Sequence, residues 1–122
     1  MNQSIALGGV GLALDLVMVK IGSLDKGLRR AKADVFAKLR GADQLCLLDR
    51  FSYQIAEVRC ILDAVRAVRE ERAAGTVEDA LNEALAVIEA RAQGHRARDL
   101  HPEAITAFHA ARIIRDFLRA AC

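Results

Sequence analysis

The chain has 122 residues, 53% of them hydrophobic but only 4% aromatic, and a formal net charge of +2. That length makes one domain, residues 1–122, able to bury about two-thirds of its unfolded surface without a disulfide or a metal. A single proline and a bias towards Ala, Leu, Arg and Glu, all strong helix formers, exclude a turn-rich β architecture. The small net charge selects neither nucleic acid nor an acidic partner, but its distribution is blocked. Residues 20–40 carry seven Lys/Arg against two Asp, residues 41–90 five Arg against ten acids, and residues 91–122 six Arg against three acids. Such blocks bind an oppositely charged partner or one another, and mutual pairing is the simpler expectation.

In chain order, Ile5 to Ile21 is nearly all apolar. Met1-Asn2-Gln3-Ser4 holds no Lys or Arg, so the basic start of a signal peptide is missing. Asp15 interrupts the run, which falls short of the roughly 20 residues that cross a bilayer. A buried helix is expected, with a membrane-associated segment as a minor alternative. Gly8, Gly9 and Gly11 weaken its start, and Gly22 is its expected stop. Ser23 then caps a second helix whose stripe is Leu24, Leu28, Ala31, Val35 and Leu39, ending at Gly41.

Residues 42–74 read as a long central helix closed by Gly75. Leu48, Phe51, Ile55, Val58, Leu62 and Val65 form its main seam. A second, weaker stripe nearly opposite consists of Cys46, Tyr53, Cys60, Ala64 and Ala67. A helix apolar on two faces must be covered on two faces, either by the N-terminal helix or by another chain. Thr76 with Asp79 has the spacing of a capping box. Val77, Leu81, Ala84, Leu85 and Ile88 stripe a fourth helix that is expected to stop at Gly94. Residues 94–101 read as a loop, and Pro102 opens a last helix. That helix is expected to bury Ile105, Ala107, Phe108, Ala110, Ala111, Ile114, Phe117 and Leu118, and to expose His109, Arg112, Arg115, Asp116 and Arg119. The fold class is therefore all-α, a compact bundle of about five helices around a long central helix.

Candidate chemistry is sparse. His95, His101 and His109 match no metal-ligand spacing, so no metal or cofactor is expected. Cys46, Cys60 and Cys122 form no metal-type pair. Cys46 and Cys60 lie about 21 Å apart on one helix and cannot bridge within a chain; buried thiols in a reducing cytoplasm are expected. No nucleophile has a neighbouring base, and Gly8-Gly9-Val10-Gly11 lacks the strand and the Lys-Ser/Thr of a phosphate loop. The preference for Arg over Lys and the alanine content fit a GC-rich bacterial genome.

The expected function is non-enzymatic: a cytoplasmic bacterial regulator, adaptor or small subunit that binds another protein or itself. The expected contact residues are Cys46, Tyr53 and Cys60 of the second stripe, with Arg112, Arg115 and Arg119 of the last helix. The alternative is a helical subunit that contacts nucleic acid through Lys26, Arg29 and Arg30. Arginine suits phosphate, but the scarcity of aromatics leaves little to stack on bases. Membrane association through the N-terminal helix is the third reading.

Overall fold

The computed structural model describes residues 3–71 and 75–121, and the side chains of 9–71 and 75–120. All regular structure among these residues is helical: α1 Gln3–Lys38, α2 Gly41–Glu71, α3 Val77–Ala97 and α4 His101–Ala121. The bundle is all-α as expected, but has four helices instead of about five. No helix among the described residues is long and apolar enough to cross a membrane.

The difference in count lies at Gly22, which α1 passes without a break. Glycine costs a helix interior roughly 1 kcal/mol. Against that, Val10, Leu14, Val17, Ile21, Leu24 and Leu28 keep spacings of three and four straight through the site. The first four are buried and the last two pack against the core. One unbroken face outweighs one glycine. Ser23 is consequently no cap; its hydroxyl donates to the Lys20 carbonyl oxygen inside the helix. The real interruption is Gly9, with φ +67° and ψ −166°.

Between α1 and α2 the chain turns within two residues. The α1 carbonyls left open there are closed by side chains. Arg40 Nη1 donates to the carbonyl oxygens of Phe36, Ala37 and Leu39, and Gln44 Nε2 to those of Phe36 and Leu39. A guanidinium at a helix C-terminus also complements the macrodipole. Gly41, at φ +70°, makes the reversal. After Gly75, Thr76 caps α3 as its spacing implies, its Oγ1 accepting from the Asp79 N–H at 3.0 Å.

Helix α3 runs through Gly94 to Ala97, so the expected eight-residue loop shrinks to Arg98–Leu100. Asp99 takes the left-handed conformation at φ 58°. Its N–H and that of Leu100 return to the carbonyls of Arg96 and His95, which is a Schellman closure with Asp where Gly is usual. Pro102 sits in the first turn of α4, where its missing N–H costs nothing.

The core joins α1 (Val10, Leu14, Val17, Ile21), α2 (Val58, Ile61, Val65, Val68), α3 (Ala80, Leu81, Ala84, Ile88) and α4 (Ala107, Ala110, Ala111, Ile114). Helix α1 packs chiefly on α2, and α3 chiefly on α4. The long element is therefore the α1–α2 hairpin, and not one central helix. Its length decides the architecture. Helices α3 and α4 have 21 residues each against 36 and 31 for α1 and α2. Starting from the far end of α2, α3 reaches back only to about Glu57, which touches His95. Past the α3–α4 turn, the hairpin continues as a two-helix arm about 15 residues, or about 22 Å, long. No residue from Gly22 to Tyr53 is fully buried.

Candidate functional site

The second stripe of α2 lies on the side of the helix turned away from α1. Cys46 and Cys60 are exposed free thiols, contrary to the expectation of buried ones, and Tyr53 is 57% exposed. Cys122 lies outside the described residues. One of the two expected covers, the N-terminal helix, packs on the other side of α2, where Val10, Leu14, Val17 and Ile21 join Val58, Ile61 and Val65. The stripe is not core. Cys46, Tyr53 and Cys60 recur every seven residues, about 10.5 Å per step, so they stay on one side of the helix. Leu45 and, on α1, Phe36 add exposed apolar surface to the arm.

The N-terminal part of α1 is also less buried than its composition implies. Leu12, Leu16 and Val19 form an outward line, with Val19 73% exposed. Ile105, expected in the core, is exposed on α4. The main seam of α2 is rotated from the expected one. The buried set is Gln54, Ile55, Glu57, Val58, Ile61, Val65 and Val68, while Leu48, Phe51 and Leu62 are half-buried.

The three α4 arginines are exposed as expected, but two of them are engaged within the chain. Arg115 Nη2 meets Glu89 Oε2 on α3, and Arg119 pairs with Asp116 one turn back at 3.2 Å. Arg112 lines a shallow depression with Lys20, Ile113 and Asp116. No contact among the described residues joins these arginines to the stripe of α2. Lys26, Arg29 and Arg30 all stand on the arm. Arg29 is paired with Asp25 at 2.9 Å and lines, with Lys32, Ala33, Phe36 and Leu48, an open depression between the two arm helices.

Beneath the stripe lies a buried ion cluster that sequence reasoning missed. Glu57 is 3% exposed. Arg91 of α3 binds it with two donors, Nη2 to Oε1 at 2.6 Å and Nε to Oε2 at 2.9 Å. The bond to Glu57 raises the Arg91 pKa above its ordinary value against the opposing effect of burial, and Cys60 acts in the same direction. One turn on, His95 Nε2 lies 3.0 Å from Glu57 Oε2. That contact lacks hydrogen-bond alignment, and the buried nitrogen has no hydrogen-bond partner among the described residues. The sequence signal was partial: Arg91 and His95 are four residues apart on one face, but nothing ties them to a residue 34 positions earlier. A third inter-helix pair, Arg69 Nε with Asp15 Oδ1 at 2.8 Å, ties the end of α2 to the N-terminal half of α1.

Gln54 is the other residue that sequence reasoning passed over. It is 8% exposed and stands on the floor of a cleft of about 260 Å³ formed by Ser23, Leu24, Gly27 and Leu28 of α1 with Ile105, Thr106 and His109 of α4. Among the described residues there is no His, Cys, Asp or Glu cluster able to hold a metal. No family model, curated protein or solved structure matches this chain.

Proposed function

We propose that this chain is a non-enzymatic cytoplasmic interaction module that pairs with a second copy of itself through the outer face of α2. The observation that carries this reading is the exposed seven-residue repeat of Cys46, Tyr53 and Cys60. A two-helix arm only half-buries the apolar residues on its inner side, and a second helix pair laid against its open side completes a four-helix arrangement. Tyr53 lies midway between the cysteines. An antiparallel two-fold pairing centred on Tyr53 sets Cys46 of one protomer opposite the partner's Cys60, and the reverse. Tyrosine suits such a centre, since it presents large area at low entropic cost with a polar tip.

Oxidative cross-linking tests it in a Cys122→Ser background. Covalent dimer is expected with both cysteines present and is lost when either Cys46→Ser or Cys60→Ser leaves one kind alone. Cross-linking of Cys46 to the partner's Cys46 would overturn the antiparallel register.

A second reading has one observation behind it. Lys26, Arg29 and Arg30 are exposed on an arm whose α1 half is strongly basic. A basic projection suits a polyphosphate, and binding to DNA or RNA would weaken by roughly one log unit per log of salt for each phosphate contacted. The absence of binding at low salt would end this reading.

A further inference from the structure

The packing of α1 against α4 brings together two stretches of like charge. Residues 20–40 carry seven Lys/Arg against two Asp, and residues 91–122 six Arg against three acids. Where they meet, Lys20 of α1 and His109, Arg112 and Asp116 of α4 line one depression of about 360 Å³, together with Ser23, Leu24 and Ile113. The three α4 residues stand at steps of three and four, on one face of that helix. The Lys20 and Arg112 side chains are exposed, and neither has an ion pair or a side-chain hydrogen bond among the described residues. The neighbouring arginines of α4 are engaged: Arg115 meets Glu89, and Arg119 holds Asp116 Oδ1 at 3.2 Å. The one carboxylate at the depression therefore already has a cation of its own.

Two free cations on the walls of one depression repel each other, and an anion between them turns that repulsion into attraction. Charge selects an anion, and the donor set selects its class. Arg112 offers a planar fork of N–H donors, Lys20 a compact ammonium with three, and His109 a ring N–H in either protonation state. Donors that reach one centre from two helices suit the three or four oxygens of a tetrahedral oxyanion better than the two of a planar carboxylate. Ser23 adds no donor, since its hydroxyl is committed to the Lys20 carbonyl oxygen. Leu24 and Ile113 give the depression an apolar side, which matches carbon rather than a bare inorganic ion. The volume lies at the lower end of the roughly 300–1,000 Å³ of small-molecule sites, room for a phosphate group and a few carbons.

From this we infer that the depression lined by Lys20, His109 and Arg112 binds the phosphate group of a small phosphomonoester. Arg112 and Lys20 hold its oxygens from α4 and α1, His109 supplies a further donor, and the carbon group lies against Leu24 and Ile113. Asp116 opposes the bound charge and limits the affinity. No residue of α2 lines the depression, so the site does not depend on self-association through the outer face of that helix.

The test is a ¹H–¹⁵N titration of the full chain with n-butyl phosphate at fixed ionic strength, following the Arg112 Nε–H, with butyrate as the carboxylate control. The expected result is a saturable shift of that N–H in the wild-type protein and of the Ser23 and Ile113 amides. Lys20→Gln and Arg112→Gln each weaken binding by about tenfold or more, the value of one charge-assisted hydrogen bond. Both positions are exposed, so the variants keep the fold, and the rest of each spectrum reports it. Lys26→Gln, which removes a cation of the same helix outside the depression, leaves binding unchanged, and Asp116→Asn strengthens it. Butyrate produces no saturation. No saturable shift, equal binding of butyrate, or equal weakening by Lys26→Gln would each overturn the inference. Tighter binding of a phosphoserine peptide than of n-butyl phosphate would assign the phosphate to a protein partner and overturn the small ester.

Discussion

Replacing Arg91 by Met should destabilise the protein more than removing the acid it serves. Glu57 is 3% exposed and takes two hydrogen bonds from Arg91. Loss of the guanidinium leaves an ionised carboxylate inside the bundle with only the misaligned His95 beside it. Breaking a buried pair from one side costs about 3–5 kcal/mol. The Arg91 side chain is itself about one-third exposed, and water can follow it in, so the lower end, about 3 kcal/mol, is expected. Glu57→Leu leaves instead a guanidinium that can turn to solvent, at a cost of about 1 kcal/mol or less. The double variant, with no charge left to solvate, should lie closer to wild type than Arg91→Met does. With a urea m-value of about 2 kcal/mol per molar, Arg91→Met lowers the midpoint by about 1.5 M. The measurement belongs in a Tyr53→Lys background at low concentration, where self-association cannot add to apparent stability. If Arg91→Met is no worse than Glu57→Leu, the Glu57 carboxylate is not held as described.

Four local substitutions test the helix ends and turns, all read by thermal or urea unfolding. Gly22→Ala stabilises by about 0.5–1 kcal/mol, since α1 is helical there and the added methyl meets nothing within 4 Å; a loss would mean that Gly22 does end a helix. Gly41→Ala destabilises by about 1 kcal/mol or more because of its φ of +70°, whereas Asp99→Gly relieves a left-handed non-glycine residue and gains a few tenths to about 1 kcal/mol. Thr76→Ala removes the cap of α3 at a cost of about 1 kcal/mol.

Helical periodicity made most of the fold legible. The stripes of α3 and α4, the Thr76 cap and the place of Pro102 all follow from residue types at fixed spacings. Gly22 and Gly94 are the misleading signals, because a stop there ignores the apolar face that continues across each. Leu14, Val17, Ile21, Leu24 and Leu28 carry α1 across Gly22, and Ala92 with His95 carries α3 across Gly94. The partial shift of the α2 seam has a related cause. Ile55, Val58 and Val65 are buried as their spacing implies, but Gln54 and Glu57 occupy core positions that apolar patterning does not mark, and Ile61 is buried where Leu62 is expected. The stripe of Cys46, Tyr53 and Cys60 was visible, but its exposure depends on which side of α2 faces α1. That is a tertiary fact which amphipathic spacing alone does not contain. The Glu57 cluster and the Gln54 cleft are assembled from different helices, and no local pattern announces either.

The most direct measurement of the self-association account is sedimentation equilibrium over a wide concentration range, on the wild-type protein and on Tyr53→Lys. The account predicts that the wild-type mass rises from 13.3 kDa to twice that value, and that Tyr53→Lys, folded equally well, stays monomeric. A wild-type protein that remains at 13.3 kDa at the highest concentration would contradict it, as would a Tyr53→Lys variant that dimerises as tightly as wild type.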